Sequence, residues 1–107
     1  MRVQQHLELL EYLTRSNCIS QRFIRALPSD ALKAIWEIAL NVKLGNVKLS
    51  QHEAELLARR KRSIGKLAVK STKIEDKLRI LTPSLLKALL RPAIRQLRDG
   101  NPHEVSA

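Results

Sequence analysis

Apolar residues recur at three- and four-residue intervals along most of the chain, which is the spacing of one face of an α-helix. Sustained alternation of polar and β-branched residues, the pattern of a half-buried strand, does not occur, and the chain has three glycines. The pattern therefore predicts an all-α fold. We expect a compact bundle of about five to six short helices that forms a single domain over residues 1–98.

Three helices are predicted in the first half of the chain, at about residues 2–15, 20–26 and 28–43. The third should be the most buried, because apolar residues cover most of its circumference. Gly45 and Asn46 follow it as a left-handed C-terminal cap would require, since glycine accepts a positive φ. Tyr12 and Phe23 are expected to join Trp36 in the core.

Two capping boxes predict the next helix starts. Ser50-Gln51-His52-Glu53 and Thr72-Lys73-Ile74-Glu75 both fit S/T-x-x-E, in which hydroxyl and carboxylate each satisfy an unpaired backbone N–H. Helices are therefore expected over about 51–70 and 73–81.

The last predicted helix begins at Thr82-Pro83, an N-cap followed by a proline at the first helical position. Pro92 should kink or break this helix near residues 88–92, because proline removes one backbone hydrogen bond. The final residues, 99–107, are expected to be a frayed tail.

The charge of the chain is concentrated in its second half. The sequence has 20 Lys+Arg, 10 Asp+Glu and a formal net charge of +10. Residues 1–55 carry a net charge of +1, residues 56–98 one of +11 and the tail one of −2. A near-neutral half is thus joined to a cationic half, whose field attracts polyanions.

Several protein classes are disfavoured. Cys18 is the single cysteine and cannot form an internal disulfide, which favours a reducing compartment. No apolar run reaches the ~18 residues of a membrane span, and Glu8 and Glu11 interrupt any signal-peptide-like stretch. We expect an intracellular protein with no transmembrane segment.

The sequence contains no motif that is typical of a catalytic site or a metal site. His6, His52 and His103 have no spacing to one another or to Cys18 that suits a nucleophile with its base or a metal site. The sequence therefore predicts a protein that is not an enzyme and has no cofactor.

The strongest local feature is the run from Arg59 to Arg62, which has few acidic neighbours to balance it. Positions 59, 62, 66 and 70 would form one helical stripe able to track phosphates, although a solvated face is the alternative interpretation. We expect binding to nucleic acid, without sequence specificity. The predicted binding residues are Arg59, Arg60, Lys61, Arg62, Lys66, Lys70, Lys73, Lys77 and Arg79. The same run would also serve as a nuclear-import signal.

A second hypothesis concerns the last helix, which is cationic and amphipathic. Its candidate partner-binding residues are Leu85, Leu86, Leu89, Leu90, Arg91, Ile94, Arg95, Leu97 and Arg98. Such a helix can lie on an anionic membrane, enter the groove of a capsid protein, or close the core of its own domain, and the core is the default. A third hypothesis is a sequence-specific helix-turn-helix regulator.

The stretch Ala39-Leu40-Asn41-Val42-Lys43-Leu44-Gly45-Asn46-Val47-Lys48-Leu49-Ser50 resembles a signature of small basic proteins of adintoviruses and related Polinton/Maverick elements. The similarity continues through Lys61-x-x-Ile64-x-x-Leu67-Ala68 and Leu85-Leu86-x-x-Leu89-Leu90-x-Pro92, and covers roughly residues 20–95. That family is regarded as similar to the adenovirus core protein called X or mu. The resemblance implies a protein that condenses double-stranded DNA, located in the virion or the host nucleus.

Overall fold

The computed structural model describes residues 6–16 and 19–98, which form seven α-helices and no β-strand. The helices are α1 (Leu7–Arg15), α2 (Gln21–Arg25), α3 (Ser29–Lys43), α4 (Gln51–Ala58), α5 (Lys61–Ala68), α6 (Ile74–Ile80) and α7 (Pro83–Arg98). The all-α prediction is confirmed. The predictions made for Cys18, His103 and the tail at 99–107 lie outside the described residues.

Helix α3 lies at the centre, where it packs against α5 and α7. Helix α1 packs on α7, α4 contacts both α5 and α7, and α6 contacts α5. The largest fully buried side chains are Leu10, Leu13, Ile24, Ile35, Ile38, Leu67, Leu81, Leu85, Leu86, Leu89 and Leu90. Every helix except α4 and α6 contributes to that set, so one hydrophobic core holds the bundle together.

Helix α3 ends in the glycine cap that the sequence predicts. Gly45 has a φ of +79°, its N–H donates to the carbonyl of Val42 at 3.2 Å, and the Asn46 N–H donates to the carbonyl of Asn41 at 2.9 Å. These two bonds form a Schellman motif, which satisfies carbonyls that the helix leaves unpaired.

Two buried amide side chains hold the connection after this cap. Asn41 donates to the Glu37 carbonyl and accepts from the Asn46 side chain, both at 3.0 Å. Gln96 of α7 accepts from the Lys48 N–H at 2.6 Å and donates to the Asn46 carbonyl at 3.1 Å. Because buried polar groups are costly when unpaired, these bonds fix the loop against α7.

The prediction of one continuous helix over 51–70 is wrong, because Arg59 and Arg60 form a turn that divides this segment into α4 and α5. The two pieces have different neighbours: α4 packs on α7, whereas α5 packs mainly on α3. Leu56, near the end of α4, is exposed, whereas Leu57 is buried.

The predicted helix starts have mixed outcomes. The Ser50 capping box is present, with both reciprocal hydrogen bonds, and the Thr82 hydroxyl accepts from the Leu85 N–H at 3.2 Å. The Thr72 box is wrong, because α6 begins one residue later with Lys73 at the N-cap and no side-chain cap. The predicted break at Pro92 is also wrong: α7 is helical from residue 83 to residue 98.

Two aromatic residues predicted for the core lie at the surface. Tyr12 is 51 % exposed and Phe23 is 37 % exposed, and their ring centroids are 6.4 Å apart. Their helices fill the core instead with Leu10, Leu13 and Ile24. The two rings therefore contact each other at the edge of the bundle.

Candidate nucleic-acid interface

The junction between α4 and α5 carries the basic run. Arg59 is the C-cap of α4, Arg60 is the N-cap of α5, and Lys61 and Arg62 lie in the first turn of α5. All four are exposed. The first turn of α5 has no acidic residue and no side-chain cap, so the positive end of the helix dipole adds to the positive side chains. This arrangement favours the binding of an anion at the start of α5.

The predicted stripe of positions 59, 62, 66 and 70 does not form on one helix. Arg62 and Lys66 are one turn apart on α5, but Arg59 belongs to the end of α4 and Lys70 follows the end of α5. The four side chains are all exposed. The division of the predicted helix therefore spreads the charge over a broader surface.

A second group of cations lines an open groove of about 580 Å³ between the end of α5 and α6. Its lining residues are Lys66, Ser71, Thr72, Lys73, Asp76, Arg79 and Ile80. Asp76 pairs with Arg79 at 3.5 Å within α6, which offsets one of the three cations. The remaining lysines and the two hydroxyls are the groups that proteins use to hold phosphate oxygens.

Lys77 does not lie on the exposed surface that the sequence predicts for it. Lys77 is 5 % exposed, and its Nζ lies 5.3 Å from the centroid of the Trp36 ring. Burial lowers the pKa of Lys77 from its ordinary value, because desolvation disfavours the charged form. Helix periodicity alone places residue 77 near the surface, but the packing of α6 turns it towards α3.

Several acidic residues are paired with arginines that lie outside the run from Arg59 to Lys73. Glu11 pairs with Arg98 at 2.8 Å, Glu53 with Arg95 at 2.7 Å, and Glu75 with Arg25 at 3.1 Å. Hydrogen bonds from Arg98 and Arg95 hold the pKa values of Glu11 and Glu53, respectively, below the ordinary range.

In the stretch from Arg59 to Lys73, seven exposed cations form no ion pair with a described residue. They are Arg59, Arg60, Lys61, Arg62, Lys66, Lys70 and Lys73. We call these seven residues the cationic surface.

The apolar face of α7 lies in the core. Leu85, Leu86, Leu89 and Leu90 are at most 1 % exposed, and Ile94 is buried with them. Leu97 is half-buried against the same core.

The cationic side of α7 is largely engaged with the bundle. Arg95 and Arg98 are held in ion pairs, and Arg91 remains exposed. The helix therefore closes its own domain, as the default interpretation expected. Within the described residues, no helix combines the length and apolar character needed to span a membrane.

Sequence reasoning missed Lys33. This residue belongs to the near-neutral half, yet it shares a groove with Lys70 and Lys77. The linear sequence carries no signal for the contact, because it depends on the packing of α3 against α5 and on the position of α6.

Comparison with known proteins yields no match. No family model, no curated protein and no solved structure is similar enough to this chain to be matched. The interface is therefore defined by its own geometry and charge.

Proposed function

We propose that this protein binds double-stranded nucleic acid, in particular DNA, without sequence preference. The observation that carries the proposal is the cationic surface: seven exposed cations within 15 residues, without ion pairs in the described chain. Four acidic residues, Glu11, Glu53, Glu75 and Asp76, are engaged by other arginines. A fold that leaves this charge uncompensated favours a polyanionic partner.

The mechanism is electrostatic. Lysine and arginine side chains neutralise phosphates and release the counterions condensed on the duplex, which gives affinity that does not depend on sequence. No aromatic residue occurs between Arg59 and Lys73, so stacking on unpaired bases is not part of the mechanism. The remainder of the bundle supplies the core that presents these side chains.

The biological role we propose is a virion-core or DNA-packaging protein of an adintovirus-like element, acting in the virion or the host nucleus. The sequence resemblance supports it. So does the shape of the chain, because a small bundle with one charged surface can coat DNA without reading its sequence.

The alternative is a capsid-interior or membrane-interaction protein that acts through α7. It requires the apolar face of α7 to be available to a partner. Because Leu86 and Leu89 are fully buried in the bundle, this activity would need α7 to leave its own core. No contact in the described structure favours that change.

The proposal is tested by removing charge from the cationic surface. The variant Arg59→Gln, Arg62→Gln, Lys66→Gln should bind an unrelated duplex DNA more weakly and show a salt slope reduced by about 3 in log–log units, one for each lost phosphate contact. Fluorescence anisotropy of a labelled duplex measures both quantities.

The matched control removes three exposed cations from other helices: Arg15→Gln, Arg22→Gln, Arg91→Gln. Its net charge is the same as that of the test variant, but it should retain most of the affinity. Equal losses in the two variants would mean that overall charge, rather than the cationic surface, carries the binding.

A further inference from the structure

A groove of about 470 Å³ lies beside the single tryptophan of the chain. Its lining residues are Lys33, Trp36, Glu37, Leu40, Ala68, Lys70 and Lys77. Three separate parts of the fold bring the lysines together: α3 supplies Lys33, the connection after α5 supplies Lys70, and α6 supplies Lys77. Glu37 is the acidic residue of the lining, so the groove is net positive.

The three lysines are in different environments. Lys33 and Lys70 are exposed, whereas Lys77 is almost fully buried with its Nζ over the Trp36 ring. No carboxylate of the described residues forms an ion pair with Lys77. The aromatic face compensates part of the desolvation of this cation, but it supplies no counter-charge. A buried cation of this kind favours an anion at its side.

Trp36 carries a second unused group. Its Nε1 is the one buried side-chain nitrogen or oxygen without a hydrogen-bond partner in the described part of the chain. Trp36 itself is 9 % exposed. A buried indole N–H normally has an acceptor, so the protein alone leaves this donor unsatisfied.

We propose that this groove, which shares Lys70 with the cationic surface, binds a phosphate group of the nucleic acid, in addition to the contacts made by the other six residues of that surface. The choice of ligand rests on the proposed function. Lysine ammonium groups are donors and suit a phosphate, which offers several acceptor oxygens and negative charge. Leu40 and Ala68 provide an apolar wall for the adjoining sugar.

The position of Trp36 makes the groove observable in solution. As the single tryptophan, it gives an emission signal that comes from this groove alone. Titration of the full chain with inorganic pyrophosphate, and separately with a short duplex DNA, should change the emission in a saturable manner. The variant Lys33→Gln, Lys70→Gln should weaken the pyrophosphate response about tenfold, the size expected for losing charge-assisted contacts.

The matched control is Arg60→Gln, Lys61→Gln, which removes two exposed cations outside the groove lining. It should leave the pyrophosphate response unchanged while weakening the binding of duplex DNA measured by anisotropy. Both variants alter exposed side chains, so far-UV circular dichroism should report the wild-type helix content for each.

The outcomes separate the groove from the proposed function. Absence of a saturable emission change, or an equal response in the groove variant and the wild type, would overturn the groove site even if DNA binding persists. A stronger response to polyglutamate than to pyrophosphate at equal charge would also overturn it, in favour of an acidic protein. A groove-dependent response to pyrophosphate without any binding of duplex DNA would support the phosphate site and contradict the proposed function.

Discussion

Arg95 of α7 and Glu53 of α4 form a two-point ion pair. Arg95 Nη1 donates to Glu53 Oε2 at 2.9 Å, and Nη2 donates to Oε1 at 2.7 Å. The same Oε1 accepts from the Ser50 N–H at 2.8 Å, so one carboxylate completes the capping box of α4 and anchors α7. Arg95 also donates to the Lys48 carbonyl at 3.1 Å. This network joins the connection that precedes α4 to the last helix.

The first prediction is that Arg95 and Glu53 are coupled in stability. A double-mutant cycle with Arg95→Gln and Glu53→Gln should give a coupling energy of about 1 kcal/mol, because the pair is only partly shielded from solvent. Urea unfolding of the four proteins measures the free energies of unfolding. Additive effects of the two substitutions would show that the pair contributes nothing.

The same carboxylate predicts a dependence on pH. The pKa of Glu53 is lowered in the folded state, chiefly by the hydrogen bond from Arg95, from an ordinary value of 4.5. Its stabilising contribution is therefore complete above pH 4.5 and is lost as the pH falls through the lower folded-state pKa. Glu53→Gln should reduce the loss of stability in this acid range, measured by urea unfolding at several pH values. An unchanged acid dependence would contradict the role of Glu53.

Two glycines offer a matched test of backbone conformation. A Cβ atom at Gly45 or at Gly65 would meet no atom within 4 Å, but Gly45 has a φ of +79° and Gly65 lies inside α5. Gly45→Ala should destabilise the protein by about 1–2 kcal/mol, the cost of a left-handed conformation. Gly65→Ala should stabilise it by about 0.5–1 kcal/mol. Urea unfolding curves with unchanged m-values would measure both, and effects of the same sign would contradict the cap.

The burial of Lys77 predicts that the free energy of unfolding rises at alkaline pH. Burial lowers its pKa below 10.5, so between the folded-state pKa and 10.5 the unfolded chain binds more protons than the folded chain. The free energy of unfolding should therefore increase with pH across this window. Lys77→Met should remove that increase, whereas Lys43→Met, which alters an exposed lysine, should retain it. A wild-type slope in Lys77→Met would show that Lys77 is not buried in solution.

Leu89 and Arg91 test whether α7 belongs to the core. Leu89→Glu places a carboxylate at a fully buried position and should cost more than about 3 kcal/mol, enough to weaken or abolish cooperative thermal unfolding. Arg91→Glu reverses a charge at an exposed position of the same helix and should unfold as the wild type does. Circular dichroism melting curves compare them. A wild-type transition for Leu89→Glu would place the apolar face of α7 outside the core.

The features predicted correctly from sequence depend on neighbours in the chain. The Gly45 cap, the Ser50 capping box and the Thr82 cap each involve residues within five positions of one another. Local hydrogen bonding decides such features, so the residue types and their spacing suffice to predict them. The all-α class follows in the same way from helical periodicity.

The features that sequence could not provide depend on tertiary packing. No glycine or proline marks the turn at Arg59 and Arg60, and the turn exists because α4 and α5 pack on different helices. Similarly, the pairing of Lys77 with Trp36 joins residues 41 positions apart. The charge of the cationic surface was visible in the sequence, but its division between a helix junction and a groove was not.

Salt-dependent binding of unrelated duplex DNAs, followed by fluorescence anisotropy between 50 and 300 mM salt, tests the proposed function most directly. If the seven residues of the cationic surface each neutralise one phosphate, the logarithm of the affinity should fall with a slope of about −6 against the logarithm of the salt concentration, equally for each sequence. Affinity that is weak at low salt, or that depends strongly on sequence and little on salt, would contradict non-specific binding through the cationic surface.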